Sequence, residues 1–140
     1  FSKYISEKTK EGIKYGLSEN QAERFTKFYG SNVDTLFQLA SQYRMVANQY
    51  NLPIDVFVPL LYAIYFEMVV KQVDFFIRRT GALFFNIHWV YEWKDSVIEF
   101  MSIKLEWSKE QKAKYTTELD QALVEAVKPI EKLKKNATLA

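Results

Sequence analysis

Four charged side chains stand in two neighbouring strings that are otherwise mostly apolar and aromatic. Glu67 lies in Tyr65-Phe66-Glu67-Met68. Asp74, Arg78 and Arg79 lie in Asp74-Phe75-Phe76-Ile77-Arg78-Arg79-Thr80-Gly81-Ala82-Leu83-Phe84-Phe85. A charge buried without a partner costs roughly several kcal/mol, so such groups come with counter-charges. Asp74 and Arg78 are four apart and share a helix face, where they can pair, and Glu67 is a second partner from upstream. Two adjacent guanidinium forks also match the oxygens of a phosphate. Glu67 and Asp74, seven apart on one helix, would stand about 10 Å apart along its axis as an acid–base pair. The flanking carboxylates neutralise much of the arginine charge. The cluster Glu67, Asp74, Arg78 and Arg79 therefore reads as a structural ion-pair network or a docking contact, with no catalytic residue assigned.

Other chemistry is poorly supplied. His88 is the only histidine; set between Ile87 and Trp89 it reads as a packing residue. There is no cysteine, so there is no thiolate metal site, disulfide or cysteine nucleophile, and a transition-metal site is not expected. The sequence contains no Gly-x-Gly-x-x-Gly, Gly-x-x-x-x-Gly-Lys or Gly-x-Ser-x-Gly, so dinucleotide, triphosphate and α/β-hydrolase chemistry are not signalled. A net charge of +2 is far from the basic excess of a nucleic-acid binder. The uncharged stretches at residues 56–66 and 81–91 fall well short of the roughly 20 residues a spanning helix needs. A cytoplasmic location is the expectation. Phe1 is an unnatural start, so the chain reads as a domain cut from something longer.

The elements that must position these groups are helical. Only four glycines and three prolines punctuate 140 residues, and the apolar periodicity is that of helices throughout, which predicts an all-α fold: a single compact bundle of about six helices with short turns, forming one domain over residues 1–140. The first helix covers residues 3–15 and ends near Gly16. Ser18 with Gln21 forms a capping box for the second. Its inward face is Ala22, Phe25 and Phe28-Tyr29, and Gly30 ends it. Ser31 caps a third, with Asp34 in its first turn and Val33, Leu36, Phe37 and Ala40 inward. Residues 41–51 are polar and less defined, and Leu52-Pro53 is a break. A long helix follows from about Asp55 or Pro59, with the proline in its first turn, to Arg79 near Gly81. Asn86 caps a helix to about Leu105 that buries Trp89-Val90, Trp93, Val97-Ile98 and Met101. Ser108 with Gln111 caps the last, whose stripe is Tyr115, Leu119, Ala122-Leu123 and Ala126-Val127. Pro129 should kink or end it, leaving Lys132–Lys135 frayed.

Aromatic residues crowd between Phe57 and Trp93, and the stretch from Pro59 to Phe85 is expected to expose apolar surface that marks an interface. Lys3, Lys8, Lys10 and Lys14 read as a solvated face. The segment from Ser18 to Asp34 superficially resembles a helix-turn-helix, so the alternative reading is a free-standing helical interaction or nucleic-acid-binding module; Glu19, Glu23 and Asp34 count against DNA.

Several strings, in order, carry a family resemblance. They are Tyr15-Gly16-Leu17, Tyr29-Gly30-Ser31-Asn32-Val33-Asp34, Leu61-Tyr62-Ala63-Ile64 with Glu67-Met68, the Asp74 to Leu83 run, and Trp107-Ser108 with Glu110-Gln111. Together they span most of residues 13–125. The chain resembles the C-terminal helical domain of the FAD-dependent glycerol-3-phosphate dehydrogenases and α-glycerophosphate oxidases. The resemblance implies a parent flavoprotein of glycerol metabolism, an oxidoreductase that converts glycerol 3-phosphate to dihydroxyacetone phosphate and passes electrons to quinone or oxygen. It implies that FAD belongs to the parent, and that this piece binds no cofactor and is inactive alone. Its partner would be the amino-terminal flavin domain, with a homodimer of the parent an open option. The parent would be cytoplasmic, peripheral to the inner face of the membrane, with no transmembrane segment here and no nucleic acid bound. One of Arg78 and Arg79 would then pair with Asp74 or Glu67, and the other pack or dock on the flavin domain.

Overall fold

The structure, a computed structural model, describes residues 1–76 and 87–139, with side chains described up to residue 76 and over residues 88–127. Among these residues there is no strand, and the all-α expectation holds. The helices are α1 Ser2–Lys14, α2 Glu19–Tyr29, α3 Val33–Gln42, α4 Arg44–Gln49, α5 Ile54–Phe66, the short turn α6 Gln72–Asp74, α7 Ile87–Lys104 and α8 Lys109–Leu139. They group into two compact units, residues 1–67 and residues 68–140.

In the first unit α1 and α2 cross closely. A Cβ on Gly12 would lie 2.6 Å from Ala22 Cβ and 2.8 Å from Phe37 Cε1, so only glycine admits this approach. The turn between the two helices follows from the sequence. Gly16 takes φ +93°, its N–H donates to Ile13 O and the Leu17 N–H donates to Gly12 O, which satisfies the orphan carbonyls of α1. Leu17 is buried. The capping box then starts α2: Gln21 N–H donates to Ser18 Oγ, and Ser18 N–H donates to Gln21 Oε1. The second unit repeats the device. Glu106 N–H donates to Ile103 O, Trp107 N–H donates to Ser102 O, and Ser108 and Gln111 cap one another as expected. Here the positive φ, +53°, falls on Glu106 rather than on a glycine.

The core of the first unit gathers on α5. Val56 to Leu61 are buried without interruption, together with Ala63, and Val33, Leu36, Phe37 and Ala40 of α3 are buried as expected. In the second unit Val69, Phe75 and Phe76 are buried with Val90, Val97, Ile98, Phe100 and Met101 of α7 and Leu119 and Leu123 of α8. Lys94–Asp120 at 3.2 Å and Lys112–Glu99 at 2.9 Å fasten α7 antiparallel to α8.

Several expectations are corrected. Ser31 does not cap α3; a 3₁₀ turn over Gly30–Asn32 leads straight into it, and the Val33 N–H donates to Gly30 O, so the turn supplies the partner that a cap would. Residues 44–49 are helical. Pro59 sits inside α5 rather than in its first turn, because Pro53 already starts that helix. An internal proline costs about 3 kcal/mol, which the burial of Phe57, Leu60 and Leu61, at about 1.5–3 kcal/mol each, outweighs. α5 stops at Phe66, well short of Arg79. Met68 turns to φ +57° and Lys71 is extended, with two valines between them whose β-branching favours extended backbone. α8 runs on past Pro129 to Leu139, so the proline does not end it and Lys132–Lys135 are helical in backbone. The surrounding glutamate, lysine, alanine and leucine residues are strong helix formers.

Gly12→Ala is expected to destabilise the protein. The overpacking cost of about 1–3 kcal/mol exceeds the gain of about 1 kcal/mol from helix propensity, and a lower denaturant midpoint at unchanged slope is the measurement that shows it.

Candidate functional site

The segment from Glu67 to Phe76 carries two of the four charged residues singled out by type and spacing, Glu67 and Asp74. Glu67 is the C-cap of α5 and closes the first unit; Asp74 belongs to the second. Both are half-buried, and both are engaged by neighbouring groups. They are not two turns apart on one helix face, because the helix is broken between them at Met68–Lys71. Arg78 and Arg79, with Gly81 and Asn86, lie outside the described residues.

The second unit holds this segment by a contact that periodicity does not reveal. Lys71 Nζ lies 3.3 Å from Glu118 Oε2 and 5.5 Å from the centre of the Tyr115 ring. Phe75 and Phe76 pack ring to ring at 5.2 Å, and Phe76 meets Trp89 edge-on at 5.8 Å. Between them Gln72 is fully buried, and neither atom of its side-chain amide has a hydrogen-bond partner among the described residues. A buried amide in that state costs about 1–3 kcal/mol.

A second polar cluster also escaped the sequence reading. Lys8 is not simply part of a solvated row: it donates to Asp34 at 3.0 Å and to Glu11 at 3.1 Å. Hydrogen bonds to Asp34 and then Glu11 hold its ammonium above the ordinary lysine range. Its contribution to stability is therefore complete at neutral pH and fades only above the unfolded-chain value of about 10.4, as the pH climbs toward the raised folded value. Lys3, Lys10 and Lys14 are exposed as expected. No spacing rule links a lysine to an aspartate in another helix.

His88 is exposed rather than packed. It lies two residues before Val90, hence on the opposite side of a helix that turns about 100° per residue. The expected apolar exposure is present: Tyr65, Phe66, Met68 and Val70 all face solvent, Met68 at 83%. Among the described residues no group of histidine, cysteine, aspartate or glutamate could hold a metal, and no helix is long and apolar enough to cross a membrane. An open depression is lined by Glu11, Lys14 and Tyr15. The described residues contain no strand, and the sequence lacks the glycine-rich motif of a dinucleotide-binding strand–turn–helix.

These features define a helical packing domain with exposed apolar surface. The chain belongs to the family of C-terminal domains of alpha-glycerophosphate oxidase, whose model matches residues 3–112. It is 43% identical over 128 residues to the aerobic glycerol-3-phosphate dehydrogenase of Bacillus subtilis (strain 168), covering 91% of this chain and 23% of that protein. The Staphylococcus aureus (strain MRSA252) enzyme of the same name is 41% identical, with 90% of this chain and 22% of that protein covered. The X-ray structure of the glycerol-3-phosphate dehydrogenase from Bacillus halodurans complexed with FAD superposes with a TM-score of 0.85 at 38% identity, over 88% of this chain and 25% of that one. The chain thus spans about a quarter or less of the relatives it matches.

Gln72→Met, which keeps an unbranched chain of similar length, is expected to stabilise the protein by about 1 kcal/mol by removing the buried amide that lacks a partner among the described residues. Thermal denaturation checks this, and a loss of stability would show that the amide is satisfied in the folded protein.

Proposed function

We propose that residues 1–140 act as one C-terminal accessory domain of an FAD-linked glycerol-3-phosphate dehydrogenase or alpha-glycerophosphate oxidase. The parent oxidises the secondary alcohol of glycerol 3-phosphate to the ketone of dihydroxyacetone phosphate. A hydride passes to the flavin, a proton leaves the hydroxyl, and the electrons go on to quinone or oxygen. The helical domain supplies none of these steps. It braces the flavin-bearing part and docks onto it, with Glu67, Asp74, Arg78 and Arg79 serving as ion-pair or interdomain contacts. The match to relatives of this name over nine-tenths of the chain supports the reading most directly. The burial pattern agrees with it: Phe37, Phe57, Phe75 and Phe76 are buried in packing, while Phe28, Phe66 and Met68 remain exposed to a partner.

The test is a titration of FAD into the isolated chain, followed by flavin fluorescence, together with an assay of dye reduction by glycerol 3-phosphate. Neither quenching nor turnover is expected. Stoichiometric FAD binding or measurable oxidation by the isolated chain would overturn the proposal.

A further inference from the structure

The inward face of α2 was expected to include Phe28, but Phe28 is 60% exposed. The buried set is Ala22, Phe25 and Thr26, with Tyr29 half-buried, and Phe28 points about 100° away from its neighbour Tyr29. It is not an isolated exposed ring. Phe28 meets Tyr29 at 4.9 Å, Tyr29 meets Tyr62 of α5 at 5.1 Å, and Tyr62 stacks on Phe66 at 5.0 Å with the planes 30° apart. Phe66 is 58% exposed. All four residues belong to the first unit, so two helix ends are joined by a continuous file of rings whose two terminal members face water.

Scattered apolar residues on a surface need no explanation, but a connected aromatic patch does. Phenylalanine and tyrosine are enriched in the buried centres of interfaces, and rings already held by one another lose little freedom on binding. The matched relatives are about four times the length of this chain, and the superposed enzyme has about three-quarters of its length outside the match and is complexed with FAD. We infer that the Phe28–Tyr29–Tyr62–Phe66 ledge is a docking surface for the flavin-bearing remainder of the parent protein. The inference rests on the function proposed above and names the surface by which that docking occurs.

Hydroxyl-radical footprinting of the wild-type proteins tests it without any variant. Phe28 and Phe66 are expected to be oxidised at least fivefold more slowly in the full-length parent than in the 140-residue chain. Tyr62 should change less, being already half-covered. Equal labelling of Phe28 and Phe66 in a parent that holds FAD and oxidises glycerol 3-phosphate overturns the docking surface while leaving the proposed function standing. A parent without FAD or that activity overturns the function instead. Concentration-dependent dimerisation of the 140-residue chain that protects the same two rings also overturns the inference, because the occupant is then a second copy.

Discussion

Helix α5 has no polar face, and the first unit is arranged to cover it. Six consecutive residues, Val56 to Leu61, go more than once around the helix, and all are buried. A helix apolar on every side is stable only when neighbours surround it. α3 and α4 pack against it, and Tyr29 of α2 reaches Tyr62. This demand explains why a proline inside α5 is tolerated. It also explains why α1, which is mainly polar, is drawn in by a glycine contact rather than by bulk: Gly12 lets it approach Ala22 and Phe37. The second unit solves a milder problem, with single stripes on α7 and α8 and salt bridges along the seam.

Much of this was legible in the sequence, and the limits were local. Serine–glutamine capping boxes at 18–21 and 108–111 are side-chain chemistry at fixed spacing, so they could be read and they are present. The turn at Gly16 was legible because glycine announces a positive φ. Asn51, Met68 and Glu106 adopt the same region without announcing it. Met68 mattered most, because continuing the helix through it placed Glu67 and Asp74 on a face they do not share. Contacts between separate helices, such as Lys8 with Asp34 and Lys71 with Glu118, leave no periodic trace. His88 and Phe28 were misplaced for a simpler reason: an apolar neighbour in sequence is not a neighbour on a helix surface.

The candidate site was legible in composition but not in geometry. Glu67 and Asp74 are half-buried and engaged by neighbouring groups. The segment around them is held by Lys71, Phe75 and Phe76, and it carries the one fully buried amide that lacks a partner among the described residues. Packing there is specified by shape and ring contacts.

The central claim is that this domain contributes to a flavoenzyme by contact alone. Complementation in trans tests it most directly. A parent truncated before this domain is titrated with the 140-residue chain, and glycerol 3-phosphate oxidation and flavin retention are followed. The account predicts a saturable gain in activity or in flavin retention, with all FAD remaining on the truncated partner. No gain at any concentration, or FAD found on the helical chain, would contradict it.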